Sequence, residues 1–224
     1  MPSRTTNMSM GVQAIFLVGF MGSGKSVVGR ELARRLGWEF VDLDAHIERC
    51  AGQTIPEIFR LQGEGGFRAS ESSALRDLTA SLQRATVVAL GGGAFAQEVN
   101  RELLRPWPSV FLDAPVAELW QRCAQEEAAG REERPLRKDR EQFAALHAAR
   151  LPFYRQASFT VCTDGKDCAA VCAEIERALE LSDGADTQPG ASPRPAAATA
   201  GARDGAKPAS SSAERGEFRI GESQ

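Results

Sequence analysis

Eight consecutive residues near the N-terminus have the types and spacing of a phosphate-binding loop. The segment reads GFMGSGKS over residues 19–26 and fits the pattern G-x-x-x-x-G-K-[ST] at every fixed position. Glycines let successive backbone N–H groups point into one concavity that holds anions, and the helix that follows adds its partial positive charge. Lys25 can follow a phosphoryl group in transfer, and the hydroxyl of Ser26 can bind Mg²⁺. The segment therefore predicts a site for ATP and Mg²⁺.

Two aspartates stand at the end of the second predicted strand. Asp42 and Asp44 are two residues apart, and side chains at that spacing in an extended segment point the same way. In a parallel sheet this strand end faces the same crevice as the phosphate-binding loop. We therefore expect both carboxylates to enter the site. One can hold a Mg²⁺-bound water, and the other can accept a hydrogen bond from a substrate hydroxyl.

Further candidate site residues follow along the chain. The sequence reads GEGGFRASE over residues 63–71, and the glycine triplet 91–93 directly follows the apolar run TVVAL. A triplet at a strand end can bring bare backbone N–H groups close to a ligand. Arg134 and Arg150 stand in the segments RPL and RLPFY, and both can contribute positive charge to a site.

The elements that must position these residues alternate along residues 13–181. Short apolar runs predict strands at Ala14–Val18, Glu39–Val41, Ala85–Leu90, Ser109–Leu112 and Ser158–Cys162. Amphipathic runs predict helices after residue 24 and at Arg68–Leu82, Val116–Ala128 and Cys168–Leu181. Gly37 is typical of a helix C-terminus, and Thr54, followed by Pro56 and Glu57, is typical of a helix N-cap. The alternation predicts an α/β domain with a mainly parallel sheet.

Two segments depart from this alternation. Residues 125–140, QEEAAGREERPLRKDR, are almost all charged or small, and their place between two helices favours a mobile lid. Residues 182–224 are dominated by Ala, Pro, Gly and Ser, so they bury too little apolar area to offset the entropy of ordering. We therefore expect a flexible N-terminus at 1–12, one folded domain at 13–181 and a disordered tail at 182–224.

The composition argues against several classes of protein. The chain has 224 residues, 42% of them hydrophobic, with a formal net charge of −3, which argues against general binding to nucleic acid or to a membrane surface. No apolar stretch approaches the roughly 20 residues of a membrane span, and the N-terminus does not resemble a secretory signal. The five cysteines and two histidines form no metal-binding pattern. We expect a cytoplasmic, monomeric protein with reduced thiols.

Taken together, the motifs resemble the shikimate kinase family. The segments that carry the resemblance are GFMGSGKS, DLD, G-E-x-x-F-R-x-x-E, GGG, RPL and R-x-P-x-Y, in the family's order. The resemblance implies a three-layer P-loop kinase fold, close to that of nucleoside monophosphate kinases, with a five-stranded parallel sheet. It also implies a helical substrate-binding segment at about 43–72 and a mobile lid at about 125–140. The implied reaction is transfer of the ATP γ-phosphoryl group to the 3-hydroxyl of shikimate, in the pathway to chorismate and aromatic amino acids.

The resemblance also implies roles for individual residues. Arg68 and Arg150 match the residues that bind the shikimate carboxylate, Glu71 matches the acid that braces Arg68, and Asp44 matches the residue at the reacting hydroxyl. Arg134 matches the lid arginine, and Arg122 is placed like an adenine-stacking arginine. The implied catalytic residues are Lys25, Asp44 and Arg134. The implied nucleotide-binding residues are Gly22, Ser23, Gly24, Lys25, Ser26, Val27, Arg122 and Arg134. The implied substrate-binding residues are Asp44, Arg68, Glu71, Gly91, Gly92, Gly93 and Arg150, and the implied Mg²⁺ ligands are Ser26 and Asp42, with Asp42 acting through water.

Two other functions stay open at the level of the residues. A related P-loop kinase could act on gluconate or a nucleoside monophosphate, although Asp44, Arg68, residues 91–93 and Arg150 would then each need a different role. A non-catalytic binding or regulatory module would be expected to lose the phosphate-loop lysine, the acidic pair or the lid arginine, and the sequence retains all of them.

Overall fold

The computed structural model describes residues 14–128 and 139–181. Three of the predicted segments fall wholly or largely outside these residues: the N-terminus at 1–12, the tail at 182–224 and most of the lid at 125–140. The lid residue Arg134 lies outside the described residues as well.

A five-stranded parallel sheet forms the centre of the described chain. Its strands are β1 (Ala14–Val18), β2 (Glu39–Asp42), β3 (Thr86–Ala89), β4 (Ser109–Asp113) and β5 (Phe159–Cys162). The order across the sheet is β2-β3-β1-β4-β5, and every neighbouring pair is parallel. All residues of β1 and β3 are buried, as expected for a parallel sheet with helices on both faces. The predicted α/β fold with five parallel strands is confirmed.

Seven α-helices connect and cover the strands within the described residues. They are α1 (Lys25–Leu36), α2 (Leu43–Ala51), α3 (Ile55–Ser81), α4 (Glu98–Leu104), α5 (Val116–Ala128), α6 (Arg140–Tyr154) and α7 (Cys168–Ala178), with a short 3₁₀ turn at Ala94–Ala96. The predicted Gly37 end of α1 is confirmed, since Gly37 has φ 66°. The predicted N-cap is confirmed as well, because Thr54 and Glu57 form a reciprocal capping box at the start of α3.

Side chains of alternate strand residues pack against different helices. Phe16 and Val18 of β1 belong to a core cluster with residues of α3, α4, α5 and α6. Ile15 and Leu17 belong to a second cluster with residues of α1 and α7. Because successive side chains of a strand point to opposite faces, these clusters are the two helix–sheet interfaces of a three-layer fold. Among the described helices, none combines the length and apolarity that crossing a membrane requires.

The structure corrects the expected course of three helical segments. The chain turns into α2 directly after Asp42, so Asp44 lies in the first turn of a helix and the expected extended 42–44 segment is wrong. The helix expected to start after the Thr54 N-cap and the helix expected at Arg68–Leu82 form one element, α3, which ends at Ser81 and is broken at Gly63, with φ 70° and ψ −177°. Helix α7 ends at Ala178 rather than Leu181.

Candidate active site

The phosphate-binding loop joins the carboxyl end of β1 to the start of α1. Gly19 has φ 152°, and a Cβ added there would lie 2.7 Å from Ser23 Oγ and 2.9 Å from the Leu112 carbonyl oxygen. Gly24 has φ 87° and is the N-cap residue of α1. A side chain at either position would strain the backbone, and at Gly19 it would also clash. The backbone of the loop therefore favours glycine at positions 19 and 24.

Lys25 folds back over this loop. Its Nζ donates hydrogen bonds to the carbonyl oxygens of Gly19 and Phe20, both at 2.9 Å, and lies 3.5 Å from Ser23 Oγ. The ammonium group is therefore held at the concavity that the loop encloses, where phosphate oxygens can compete for its donors.

Ser26 and Asp42 bring two hard oxygen ligands together. Ser26 Oγ donates to Asp42 Oδ2 at 2.6 Å, while Asp42 Oδ1 accepts from the Asp44 backbone N–H at 3.2 Å. Within residues 14–128 and 139–181, no group of three or more His, Cys, Asp or Glu side chains could hold a metal by itself. One hydroxyl and one carboxylate fit Mg²⁺, which takes few protein ligands and completes its shell with phosphate and water.

The glycine triplet leaves room for three charged side chains. A Cβ added at Gly91 would lie 2.5 Å from Asp44 Oδ1 and 2.7 Å from Glu71 Oε1. A Cβ added at Gly93 would lie 2.3 Å from Arg68 Nη1. At these positions a side chain would occupy space that the site residues already fill. The triplet is thus explained by close packing, and its expected role as a source of bare N–H groups stays a prediction.

Gly92 connects the triplet to both the phosphate-binding loop and α6. A Cβ added there would lie 3.6 Å from Arg150 Nη1, 3.8 Å from the Met21 amide nitrogen and 3.9 Å from the Gly19 carbonyl oxygen. The carbonyl oxygen of Gly92 accepts a hydrogen bond from Arg150 Nη1 at 3.3 Å and another from the Tyr154 hydroxyl. The predicted acceptor side and the phosphate-binding loop therefore meet at Gly92.

Arg150 and Tyr154 of α6 are polar residues that lie buried in the site. Arg150 is 8% exposed and its guanidinium carbon lies 5.9 Å from the centre of the Phe20 ring. Tyr154 is fully buried, and this burial raises the pKa of its hydroxyl to about 12. Tyr154 therefore stays a neutral hydrogen-bond donor, and Arg150 places a guanidinium group inside the site.

Arg68 and Glu71 form an ion pair one helical turn apart on α3. Arg68 Nη1 lies 2.8 Å from Glu71 Oε2, and Glu71 has no exposed surface. Burial raises the pKa of Glu71, while the charge and hydrogen bond of Arg68, the charge of Arg150 and a hydrogen bond from Gln97 oppose that increase. The contact that the resemblance implies between Glu71 and Arg68 is present in the structure.

Arg122 lies on the other side of the phosphate-binding loop. Its guanidinium donates to Thr163 Oγ1 at 3.2 Å, to the Thr163 carbonyl oxygen at 3.1 Å and to Glu118 Oε1 at 3.0 Å. These contacts hold Arg122 in the wall of a cleft of about 420 Å³. The cleft is lined by Gly22, Ser23, Gly24, Val27, Val28, Arg122, Gln125, Glu126, Thr163, Lys166, Cys168 and Val171.

Two residues that contact candidate site residues were missed by reasoning from the sequence. Thr163 orients Arg122, and its position directly after β5 is a signal that could have found it, since ligands bind beyond the carboxyl ends of parallel strands. Gln97 donates from Nε2 to Glu71 Oε2 at 2.8 Å, although it lies 26 positions further along the chain. No local pattern marks Gln97.

The sequence matches a known family over most of the described chain. The family model described as "Shikimate kinase" matches residues 21–180. The shikimate kinase of Moorella thermoacetica is 42% identical over 172 residues, which cover 74% of this chain and 94% of the relative. That of Geobacter metallireducens is 42% identical over 184 residues, covering 80% of this chain and 99% of the relative.

Solved structures of shikimate kinases also resemble this chain. A shikimate kinase from Acinetobacter baumannii in complex with shikimate is 39% identical, with a TM-score of 0.68 over 78% of this chain and 96% of that one. The shikimate kinase of Aquifex aeolicus is 34% identical, with a TM-score of 0.65 over 75% of this chain and 96% of that one. With the family model matching more than half of its length, the chain belongs to the shikimate kinase family.

Proposed function

We propose that this protein transfers the γ-phosphoryl group of ATP to the 3-hydroxyl of shikimate, giving ADP and 3-phosphoshikimate. One observation carries the proposal beyond kinase chemistry in general. Asp44, Arg68, Glu71 and Arg150 all contact the glycine triplet at 91–93, which in turn lies against the phosphate-binding loop. An acceptor bound at the triplet would therefore lie next to the phosphates.

The charges at the triplet suit a small hydroxylated carboxylate. Arg68 and Arg150 are both largely buried, so each loses part of its hydration and gains from a negatively charged ligand. A planar guanidinium can meet both oxygens of a carboxylate. Asp44 is an acceptor for a hydroxyl group on the same ligand. The shikimate complex of the Acinetobacter baumannii relative supports this assignment, because that protein binds shikimate and shares the fold.

Phosphoryl transfer asks the protein mainly to position the reactants and neutralise charge. The acceptor oxygen attacks the γ-phosphorus, the bond to the β–γ bridging oxygen breaks, and ADP leaves. Lys25 would neutralise charge on the transferring group, and Asp44 would orient the acceptor hydroxyl and take up its proton. Arg134, in the proposed lid, would supply a second positive charge. Ser26 and Asp42 would hold Mg²⁺, which supplies charge neutralisation at the phosphates when bound.

The nucleotide is assigned to the cleft beside the phosphate-binding loop. Residues 22–24 and Lys25 would hold the phosphates, while Val27 and Arg122 would contact the base. The hydrogen bonds from Arg122 to Thr163 support this role, since a guanidinium plane that is fixed in advance can stack on a base at little entropic cost. We assign residues 13–181 to the kinase domain, 43–72 to acceptor binding and 125–140 to the lid that excludes water.

An ADP-release assay with a panel of acceptors tests this function. The purified full-length protein is given ATP and Mg²⁺ with shikimate, with gluconate or with AMP, and ADP is measured. We expect ADP formation that depends on shikimate and is near background with the other acceptors. ADP formation that depends only on gluconate or AMP, or on no acceptor at all, would overturn the proposal.

A further inference from the structure

Gln97 directly precedes α4, but its side chain does not cap the helix. It is the N-cap residue, with φ −83° and ψ 127°, and in the described structure its side chain makes no capping hydrogen bond. Ser, Thr, Asp and Asn are preferred at this position because their short side chains reach the first backbone N–H groups of the helix. The amide of Gln97 is directed elsewhere, so its side chain is explained by another contact.

That contact is with the ion pair of the acceptor site. Gln97 Nε2 donates to Glu71 Oε2 at 2.8 Å, and the Ser72 hydroxyl donates to Gln97 Oε1 at 3.2 Å. A carboxylate accepts hydrogen bonds whereas a hydroxyl can donate or accept, so Glu71 turns the NH₂ group of Gln97 toward itself and the amide oxygen accepts from Ser72. Ser72 is 9% exposed and Glu71 is fully buried, so these bonds lie where water competes little.

The two oxygens of Glu71 have different environments. Oε2 accepts from both Arg68 Nη1 and Gln97 Nε2. Oε1 is buried, and no group within residues 14–128 and 139–181 donates a hydrogen bond to it. A Cβ added at Gly91 would lie 2.7 Å from this oxygen. Two donors on one oxygen thus set the rotation of the carboxylate and direct its other oxygen toward the glycine triplet.

We propose that Gln97 is a positioning residue for the acceptor: its amide holds the Glu71 carboxylate, and through it the Arg68 guanidinium, in the geometry that binds the acceptor carboxylate. The inference rests on the proposed shikimate kinase function. Arg68 is packed against Gly93, so a small rotation of Glu71 changes where the guanidinium can lie. If Arg68 turns toward a ligand, Gln97 still donates a hydrogen bond to Glu71. The buried carboxylate then never depends on Arg68 alone.

The variant Gln97→Met removes the amide and keeps the length of the side chain. This hydrogen bond is made to a fully buried carboxylate, so we expect KM for shikimate to rise by roughly 10-fold or more in the variant. KM for ATP and kcat should stay within about 2-fold of wild type, because the phosphate-binding loop is untouched. The variant Ser72→Ala keeps the amide but loses its anchor, and it should show a smaller rise in KM for shikimate. Val99→Ala, an exposed position on the same helix, is the matched control.

The pH dependence separates positioning from a structural role. Loss of the Gln97 hydrogen bond removes a contact that favours the charged carboxylate, so the pKa of Glu71 rises further. As the pH falls, Glu71 of Gln97→Met then becomes neutral at a higher pH than in wild type and releases Arg68. We therefore expect the acid limb of kcat/KM for shikimate to move to higher pH in Gln97→Met, and to stay in place in Val99→Ala.

Two results would overturn the inference while leaving the proposed function intact. One is an unchanged KM for shikimate and an unchanged acid limb in Gln97→Met. The other is a parallel rise of both KM values with a lower melting temperature, which would mark Gln97 as structural. If Gln97→Met does not fold, the same comparison is made with Ser72→Ala. Absence of shikimate-dependent turnover in the wild-type protein would instead overturn the proposed function and this inference together.

Discussion

At the scale of single residues, the proposed acceptor site is organised around a buried carboxylate. Glu71 is fully buried beside Arg68, and Arg150 adds a second positive charge nearby. Arg68 and Arg150 bring two guanidinium groups to this site, where Glu71, Asp44 and Glu64 supply carboxylates. The proposed acceptor carboxylate would bind to the two arginines. The carboxylate of Asp44 lies beside Gly91, where it can accept a hydrogen bond from a hydroxyl group.

We expect Arg68→Ala to weaken binding of shikimate far more than binding of ATP. Loss of a charge-assisted contact in a largely buried site should raise KM for shikimate by roughly 10- to 100-fold, with KM for ATP nearly unchanged. Steady-state kinetics with each substrate varied in turn measure both values. Arg76→Ala, an exposed position on the same helix, is the control. A change confined to KM for ATP would show that Arg68 does not bind the acceptor.

Lys25→Met should act on the chemical step. The side chain keeps its length but loses the charge that would follow the phosphoryl group, so we expect kcat to fall by at least ~10²-fold. The melting temperature should stay near that of wild type, because the hydrogen bonds of the Lys25 ammonium described above are to atoms of the phosphate-binding loop and not to the core. The exposed Arg34→Ala on the same helix is the control. Turnover near the wild-type rate would remove Lys25 from the mechanism.

Contacts between residues close in the sequence could be predicted, whereas distant ones could not. Arg68 and Glu71 are three positions apart, which on a helix places them side by side. Gln97 and Thr163 contact Glu71 and Arg122 from 26 and 41 positions away. These contacts depend on how loops approach one another after the sheet is formed, and the residue types alone carry no such information.

At the scale of elements, the glycine triplet and α3 depend on each other. Helix α3 brings Arg68 and Glu71 to the triplet, and only glycine leaves enough room for their charged groups. The break at Gly63 divides α3 just before Arg68, so the segment that carries the ion pair has a direction separate from the segment that starts at the Thr54 cap.

Alanine at Gly93 should weaken binding of shikimate, whereas alanine at Gly65 should leave it unchanged. In Gly93→Ala the new Cβ would lie 2.3 Å from Arg68 Nη1, so the guanidinium must move, and we expect KM for shikimate to rise by about 10-fold or more. Gly93 has φ −105° and ψ −15°, which alanine adopts, so the effect comes from the clash. Gly65→Ala, exposed and with nothing within 4 Å of its Cβ, is the control. It should stabilise the helix by about 1 kcal/mol with unchanged kinetics. Equal KM values in the two variants would contradict the packing argument.

The start of α7 places a thiol at the proposed nucleotide cleft. Cys168 lines the cleft beside Arg122 and Thr163, whereas Cys50 is exposed on α2. ATP should therefore slow alkylation of Cys168 by iodoacetamide, by about 10-fold at a nucleotide concentration ten times Kd, and leave Cys50 unaffected. Mass spectrometry of the modified peptides measures both rates. Equal rates at Cys168 with and without ATP would place the nucleotide elsewhere.

The start of α2 shows where reasoning about elements fails. The alternation of apolar residues predicted β2 correctly, and the structure ends that strand at Asp42. The expected extended course through Asp44 was wrong because Asp42 caps a helix that begins at once, accepting hydrogen bonds from the N–H groups of Asp44 and Ala45. An aspartate can end a strand and start a helix at the same position, and local periodicity does not distinguish the two.

At the scale of the whole molecule, the strand order sets the place of the site. β1 lies between β3 and β4, so the phosphate-binding loop that follows β1 opens between the turns that follow these neighbours. The glycine triplet follows β3, and Asp42 ends β2, so the residues of the site share the carboxyl edge of the sheet. The alternation of strands and helices predicted a parallel sheet, but the order β2-β3-β1-β4-β5 required the structure, since several orders are compatible with the same alternation.

Identification of the reaction product tests the proposed function most directly. The protein is incubated with ATP, Mg²⁺ and shikimate, and the product is analysed by phosphorus and proton NMR. The proposal predicts one phosphorylated product, formed in step with ADP, in which the phosphorus is coupled to the proton at ring position 3. No phosphorylated shikimate, or phosphorus coupled to a proton at another ring position, would contradict it.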